Sequence, residues 1–413
     1  MTHEVPEGWE TSSFGSRCRV QSGYAFKSAD FVDEGANTVP VIRMSNLKSG
    51  TITLEDSKYV DVAKVWGLEN FRLSQGDFLF GMSGSIGNYG VVTKQADGSY
   101  LNQRVGRLMV QDGFPQFFQY LYLSQGFQNI LKGKAAGNAQ VNISSKDIQA
   151  IEVTIPSLPE QKKIAEVLCS VDEAIAATKA VIDQTKQVKK GLLQTLLTKG
   201  IGHTKFKQTE LGEIPESWEV KKLSEIARVI DCKHRTPKYY DEGFPIVRPR
   251  DVKEGPLELS NCIKTSKEEY LDLIEPHKPE QGDIVFSRNA TFGIGAIVES
   301  EQTFAIGQDV CIIHGQTLSG SLLFYIINSP VVQNQLKKLS SGSTFKRINL
   351  KDIRNLLLPE VPPKEQDYIV KRLRAIDNFS MAEMSKLKQL EIVKSGLMSD
   401  LLSGSKRVEL PDA

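Results

Sequence analysis

The chain has 413 residues, 40% hydrophobic and 24% charged, and its 51 Lys and Arg nearly balance 50 Asp and Glu. Such a composition belongs to an ordinary globular protein, with length enough for two or three domains and full cores. Single scattered cysteines (Cys18, Cys169, Cys232, Cys262, Cys311), no apolar run near ~18 residues and no leader pattern after Met1 point to a reduced, cytoplasmic protein without a membrane partner.

Residues 1–156 read as a strand-dominated, mixed α/β domain of the α+β class, with short strands at 40–43, 76–80 and 89–92 and a helical pattern over 117–131. Residues 157–200 then read as one long helix. Ser157 and Glu160 have capping-box spacing, and apolar residues recur at Leu168, Val171, Ile175, Ile182, Val188, Leu192 and Leu196, broken at Thr178 and Thr185. Residues 201–211 read as a linker. The same order then returns: a domain over 212–361 with strands at 245–248, 282–286 and 295–298 and a helical pattern over 322–336. A second long helix over 362–413 opens at Pro362-Pro363 and carries Leu373, Ile376, Leu387, Leu390, Val393, Leu397 and Leu401.

The return is a repeat. Glu160-Gln161 reappear as Glu365-Gln366, Asp172 as Asp377, and Lys189 and Gly191 as Lys394 and Gly396, all at an offset of 205 residues. Tyr120 and Tyr325, Ser124 and Ser329, and Gln103 and Gln308 keep that offset, and Trp9 matches Trp218 with a small drift. Two long copies are too few for a solenoid. They describe a pseudo-dimer in one chain, suited to a nearly two-fold partner such as duplex DNA. Gly191 and Gly396, each costing about 1 kcal/mol against Ala in mid-helix, predict close backbone approach or, more dully, local fraying. A helix over 160–199 is about 60 Å long, whereas the link reaches under about 40 Å. The second domain is therefore expected near the far end of the first helix, its own helix running back. Two similar domains are then separated by an antiparallel two-helix coiled coil with pseudo-two-fold symmetry.

The strings PSLPEQKKIAEVL (156–168) and KKGLLQTLLTKG (189–200), echoed by PPKEQDYIVKRL and VKSGLMSDLLSG, resemble the central repeats of the specificity (S) subunit of type I restriction-modification enzymes. So do GYAFKSADF (23–31), VPVIRMSNL (39–47), QGDFLFGMSGSIG (75–87), QGDIVFSRNATFG (281–293), GSTFKRINLKDI (342–353) and the His234-x-Thr236-Pro237-x-Tyr239 run. The resemblance covers the whole chain in the order target-recognition domain, helix, target-recognition domain, helix. It implies that each head reads half of a bipartite site in double-stranded DNA, through the major groove. It also implies that the rod sets the spacer and docks two methyltransferase subunits. S-adenosylmethionine would sit on those subunits, and ATP and Mg2+ on motor and endonuclease subunits, leaving no cofactor for this chain. Since the heads differ in loop sequence, the site should be asymmetric.

No covalent chemistry is expected of the chain itself. It lacks G-x-x-x-x-G-K-[S/T] and any Asn/Asp-Pro-Pro-aromatic string, and Gly81-Met82-Ser83-Gly84-Ser85 lacks the last glycine of a nucleophile elbow. Cys232, His234, Cys311 and His314 could supply four zinc ligands, but isolated cysteines are ordinarily small buried apolar residues, and no metal is expected. Side chains that match groove edges are expected from loops. In the first head they are Lys27, Arg43, Asn46, Ser83, Ser85, Gln103, Arg104 and Gln140. In the second they are Lys233, His234, Arg235, Lys238, Arg248, Arg250, Arg288, Asn289, Thr344, Lys346 and Arg347. Many would be phosphate contacts, which position without specifying. Plainer readings pair Arg43 with Asp77 and Arg248 with Asp283, and make turns of the segments near Ser83 and Ser341. Subunit docking falls to Leu168, Val171, Ile175, Ile182, Leu192, Leu196, Leu373, Ile376, Leu387, Leu390, Leu397 and Leu401. Two other classes stay open: a non-DNA adaptor with two ligand-binding heads, and a nuclease. The adaptor predicts no salt-dependent DNA affinity; the nuclease needs acidic clusters, whereas Asp231, Asp241 and Asp251 are spread singly.

Overall fold

The computed structural model describes residues 5–48, 50–84, 86–135, 142–289, 291, 293–340 and 347–410. The chain divides into two compact units, Met1–Thr178 with Lys386–Ala413, and Lys179–Ser385. Both boundaries fall inside the long helices, Leu158–Thr198 and Pro363–Ser403. Each unit is thus one head, the start of one long helix and the end of the other.

The first head holds a four-stranded antiparallel sheet in the order Cys18–Ser22, Val105–Val110, Phe78–Gly81, Tyr89–Val91. A second sheet runs Tyr100–Leu101, Thr38–Ile42, Lys58–Asp61, Phe31–Val32, its first pair parallel. The second head repeats the plan with Ala227–Asp231, Val310–Gly315, Ile284–Ser287, Gly295–Ile297 and Gly255–Pro256, beside Ile263–Thr265, Phe244–Val247 and Ala305–Ile306. The middle strands, FLFG and IVFS, are buried at every position, so they read as apolar runs rather than alternating ones. The heads share register as well: Gly81 pairs with Val105 in one, Ser287 with Val310 in the other.

Each helical pattern proves to be two helices, Pro115–Leu123 with Gln125–Ala135, and Gly320–Asn328 with Pro330–Ser340. The repeated serines make the break. Ser124 and Ser329 are extended (ψ 146° and 161°), and their hydroxyls donate to the carbonyls of Leu121 and Ile326. The stretch read as a linker contains a strand, Phe206–Thr209, in a hairpin with Gly212–Pro215. Four residues with one apolar side chain gave no alternation to see.

The long helices also depart from expectation. Glu160 does not complete a capping box with Ser157; its carboxylate is engaged by Trp9 and Arg407. A Cβ added at Gly191 or Gly396 would meet open space, so neither marks close backbone approach. Of the apolar stripe, Leu168, Ile175, Ile182, Leu196, Leu373 and Leu401 are buried, and Val171, Leu192, Ile376, Leu387, Leu390 and Leu397 half-buried. Val188 and Val393 are exposed, while Leu193, Leu197 and Leu402 are buried. Thr178 and Thr185 are buried too, their hydroxyls turned back to the carbonyls of Ala174 and Val181. In the first unit, Ile164 and Leu168 share a core with Leu397, Leu401 and Leu402. In the second, Leu193, Leu196 and Leu197 share one with Ile369, Val370 and Leu373. Start meets end in both, which is the antiparallel pairing. No helix among the described residues is long and apolar enough to cross a membrane.

Candidate nucleic-acid interface

Four segments converge at one end of the sheets in each head, through three matching backbone bonds. In the first head, Asn102 N–H donates to Ile42 O (3.2 Å), Met82 N–H to Arg104 O (3.0 Å) and Ile143 N–H to Met82 O (2.9 Å). In the second, Gly307 N–H donates to Val247 O (2.8 Å), Arg288 N–H to Asp309 O (2.9 Å) and Ile348 N–H to Arg288 O (2.9 Å). A rigid sheet end thus presents loops whose side chains are free to vary.

In the first head, Lys27, Gln103 and Arg104 are exposed, and Ser83 is half-buried, bridged to Asn142. Arg43 donates to Asp56 O (3.2 Å), and its Nε is buried with no partner among the described residues. Such an orphan donor is costly unless a ligand or water meets it. Asn46 is a brace and not a groove reader. At 1% exposure it accepts from Arg43 N–H and donates to Thr53 O and Ser57 Oγ. Asp77 is held by Arg107 at 2.9 Å, not by Arg43. Ser85 and Gln140, like Thr344 and Lys346, lie outside the described residues.

The second head is differently charged. Lys233 meets Asp272 and Glu275, each at 2.8 Å, and Arg235 meets Asp272 and Glu269, each at 2.5 Å. Hydrogen bonds from Lys233 and Arg235 hold the Asp272 carboxyl below the usual carboxylate range. His234 contacts Asp231 (2.8 Å), and Arg347 contacts Asp309 (2.8 Å), which Asn289 approaches at 3.4 Å. Arg248 pairs with Asp251 at 2.9 Å instead of Asp283. Arg288 is structural: 4% exposed, it binds Asp231 (2.8 Å) and Ile348 O (3.1 Å). Lys238 and Arg250 are exposed, Arg250 being 3.9 Å from Asp251. Phosphate would have to compete with carboxylates for several of these cations.

Sequence reasoning missed Trp66, 89% exposed beside Gly67, and the exposed rings of Tyr24 and Tyr240. Aromatic residues outside any apolar periodicity were the available signal. The four-ligand zinc reading fails on geometry. Cys311 is wholly buried in the core, and His314, three positions along the same strand, reaches Asp283 on the other face.

The repeated residues are joints between head and rod. Tyr120 donates to Asp172 (2.8 Å), which Lys394 meets at 2.6 Å; Tyr325 donates to Asp377 (2.8 Å), which Lys189 meets at 2.7 Å. Burial, then the neighbouring acid groups, pushes both phenols well above their ordinary value. Burial alone would lower the Lys189 ammonium, but Asp377 and Glu254 outweigh it and hold it raised. Trp9 and Trp218 donate to Glu160 (3.1 Å) and Glu365 (2.9 Å). Arg407 completes the first carboxylate (2.6 Å) and His203 the second (3.0 Å).

A family model for the type I restriction modification DNA specificity domain matches residues 6–187 and 215–392, one stretch in each half of the chain. The chain belongs to this family. Among specificity subunits of the family, it is 26% identical to that of the type I restriction enzyme MjaVIII from Methanocaldococcus jannaschii, covering 98% of this chain and 94% of the relative. It is 26% identical to the EcoBI specificity subunit of Escherichia coli, covering 99% and 89%. Among solved structures, one from work on complex assembly and conformational transition of the type I R-M system aligns with a TM-score of 0.61 at 18% identity, covering 98% and 100%. The S subunit from M. genitalium aligns at 0.54 with 16% identity, covering 100% and 98%. These likenesses share the fold.

Proposed function

We propose that this chain is the sequence-specific DNA-recognition subunit of a type I restriction-modification complex, each head reading one half of a bipartite, asymmetric site. The observation that carries the reading is the specificity-domain match over both heads, whose loops converge at the same sheet end. Lys27, Gln103 and Arg104 in the first head, and Lys238, Arg250 and Arg347 in the second, are among the exposed candidates for base and phosphate contacts. The rod sets the spacer and docks two methyltransferase subunits. A crevice of about 1270 Å³ in the second unit, lined by Lys189, Tyr325, Arg374 and Met384, and one of about 770 Å³ in the first, lined by Lys394 and Met398, support docking there. The chain itself is non-catalytic: S-adenosylmethionine is bound by the methyltransferase, and ATP and Mg2+ by the restriction subunits. The family match lends the non-DNA adaptor no support.

The test is a methylome. The chain is co-expressed with its methyltransferase subunit in a methylation-free host, and N6-methyladenine is mapped by single-molecule sequencing. A split, asymmetric motif methylated once on each strand is expected. A stable complex that leaves the genome unmethylated overturns the reading.

A further inference from the structure

We infer that the second head carries a binding site for a divalent ion of the zinc class, built from His277, Asp283 and His314. Asp283 is fully buried, and a buried carboxylate needs a compensating charge or donor. One oxygen accepts from Glu280 N–H (2.8 Å) and meets His277 Nε2 at 2.7 Å; the other meets His314 Nδ1 at 2.8 Å. The three donor groups lie within 4.8 Å of one another.

The first head shows what this position demands. Asp77 sits in the equivalent turn and accepts from Ser74 N–H (2.9 Å), but its partner is the Arg107 guanidinium at 2.9 Å. Arg107 pairs in register with Leu79; the residue in that register in the second head, opposite Val285, is Ile312. The arginine is gone, and two imidazoles from other positions converge on the carboxylate instead. Two imidazoles and a carboxylate are a donor set that borderline-soft divalent ions take, whereas Mg2+ prefers oxygen. His277 is 9% exposed and His314 32%, so the site is walled on one side and open to a water ligand on the other. Binding at ~2.0–2.2 Å asks the donors to part by a few tenths of an ångström, well within side-chain reach.

The experiment uses the full chain, loaded with Zn2+ or Co2+ and freed of unbound metal. Expected are one equivalent of zinc by elemental analysis, cobalt d–d absorption, and a rise of about 5 °C in Tm at saturating Zn2+ that Mg2+ does not give. His314→Gln, at a partly exposed position, and His277→Gln should each abolish all three, while His234→Gln should keep them. Circular dichroism checks that the variants fold, and the cobalt spectrum of the unaltered chain needs no variant. Absence of zinc uptake at tens of micromolar overturns the site, as does uptake that survives both substitutions. A Tm that responds to pH through the imidazole range and not to metal overturns it too, and assigns the neutralising role to a proton.

Discussion

Asp272 holds Lys233 and Arg235 at once, so on the proposed function a polyanion meets two cations of the second head that are already paired. Its folded carboxyl is lowered, so the pairing is intact above the ordinary carboxylate value of about 3.9. It is lost as pH falls through the lowered value. Asp272→Asn should remove the shared carboxylate at neutral pH, leaving Lys233 with Glu275 and Arg235 with Glu269 and both cations more open to a competing anion. DNA affinity should rise several-fold, and the salt dependence should steepen by about one unit of slope, read by fluorescence anisotropy across a salt series. The joints make the opposite case. Lys189→Ala leaves Asp377 with the Tyr325 hydroxyl alone, and should cost about 2 kcal/mol, read as a lowered denaturation midpoint. Repetition in the sequence marked Tyr120, Asp172 and Lys394 and their counterparts as important. It could not show that they bond to one another, because Lys394 reaches Asp172 only once the chain has returned along the second helix.

At the scale of elements, the long helices were legible from their apolar spacing, but their buried faces were only half so. A strict heptad drifts against 3.6 residues per turn, which is why Leu192 was favoured where Leu193 is the buried neighbour. Over 41 residues the first helix also passes from serving one head to serving the other. The middle strands were visible as apolar runs; the sheet order was not, since near neighbours such as Phe78–Gly81 and Tyr89–Val91 pair, and so do Glu10–Ser13 and Glu152–Ile155 from opposite ends of the head. Gly191 and Gly396 are helical, exposed and surrounded by open space. Gly191→Ala and Gly396→Ala should therefore each stabilise by about 1 kcal/mol, raising Tm. Loss of stability in either variant would restore the close-approach reading.

The whole molecule is interleaved: its first unit is closed by residues from the far end of the sequence. Gly404 (φ 72°) turns the chain so that Arg407 reaches Glu160 and Glu7 O, as Gly200 (φ 61°) does for His203 and Glu365. Removing residues 404–413 should therefore lower protection in the first head, some hundreds of residues away in sequence, and spare the second. Hydrogen exchange by mass spectrometry distinguishes the two. If the rod is the ruler, inserting one heptad into both long helices should change the spacer of the methylated motif and leave both half-sites as they were. The matched joints carry a consequence for exchange of the heads. Lys394 does for Asp172 what Lys189 does for Asp377, and Trp9 and Trp218 close on the equivalent glutamates, Glu160 and Glu365. Each head brings the same half of the fitting, a tyrosine and a tryptophan, to the long helices that hold it. A head that keeps this tyrosine and tryptophan should therefore be replaceable as a cassette, with no redesign of the helices that bear it.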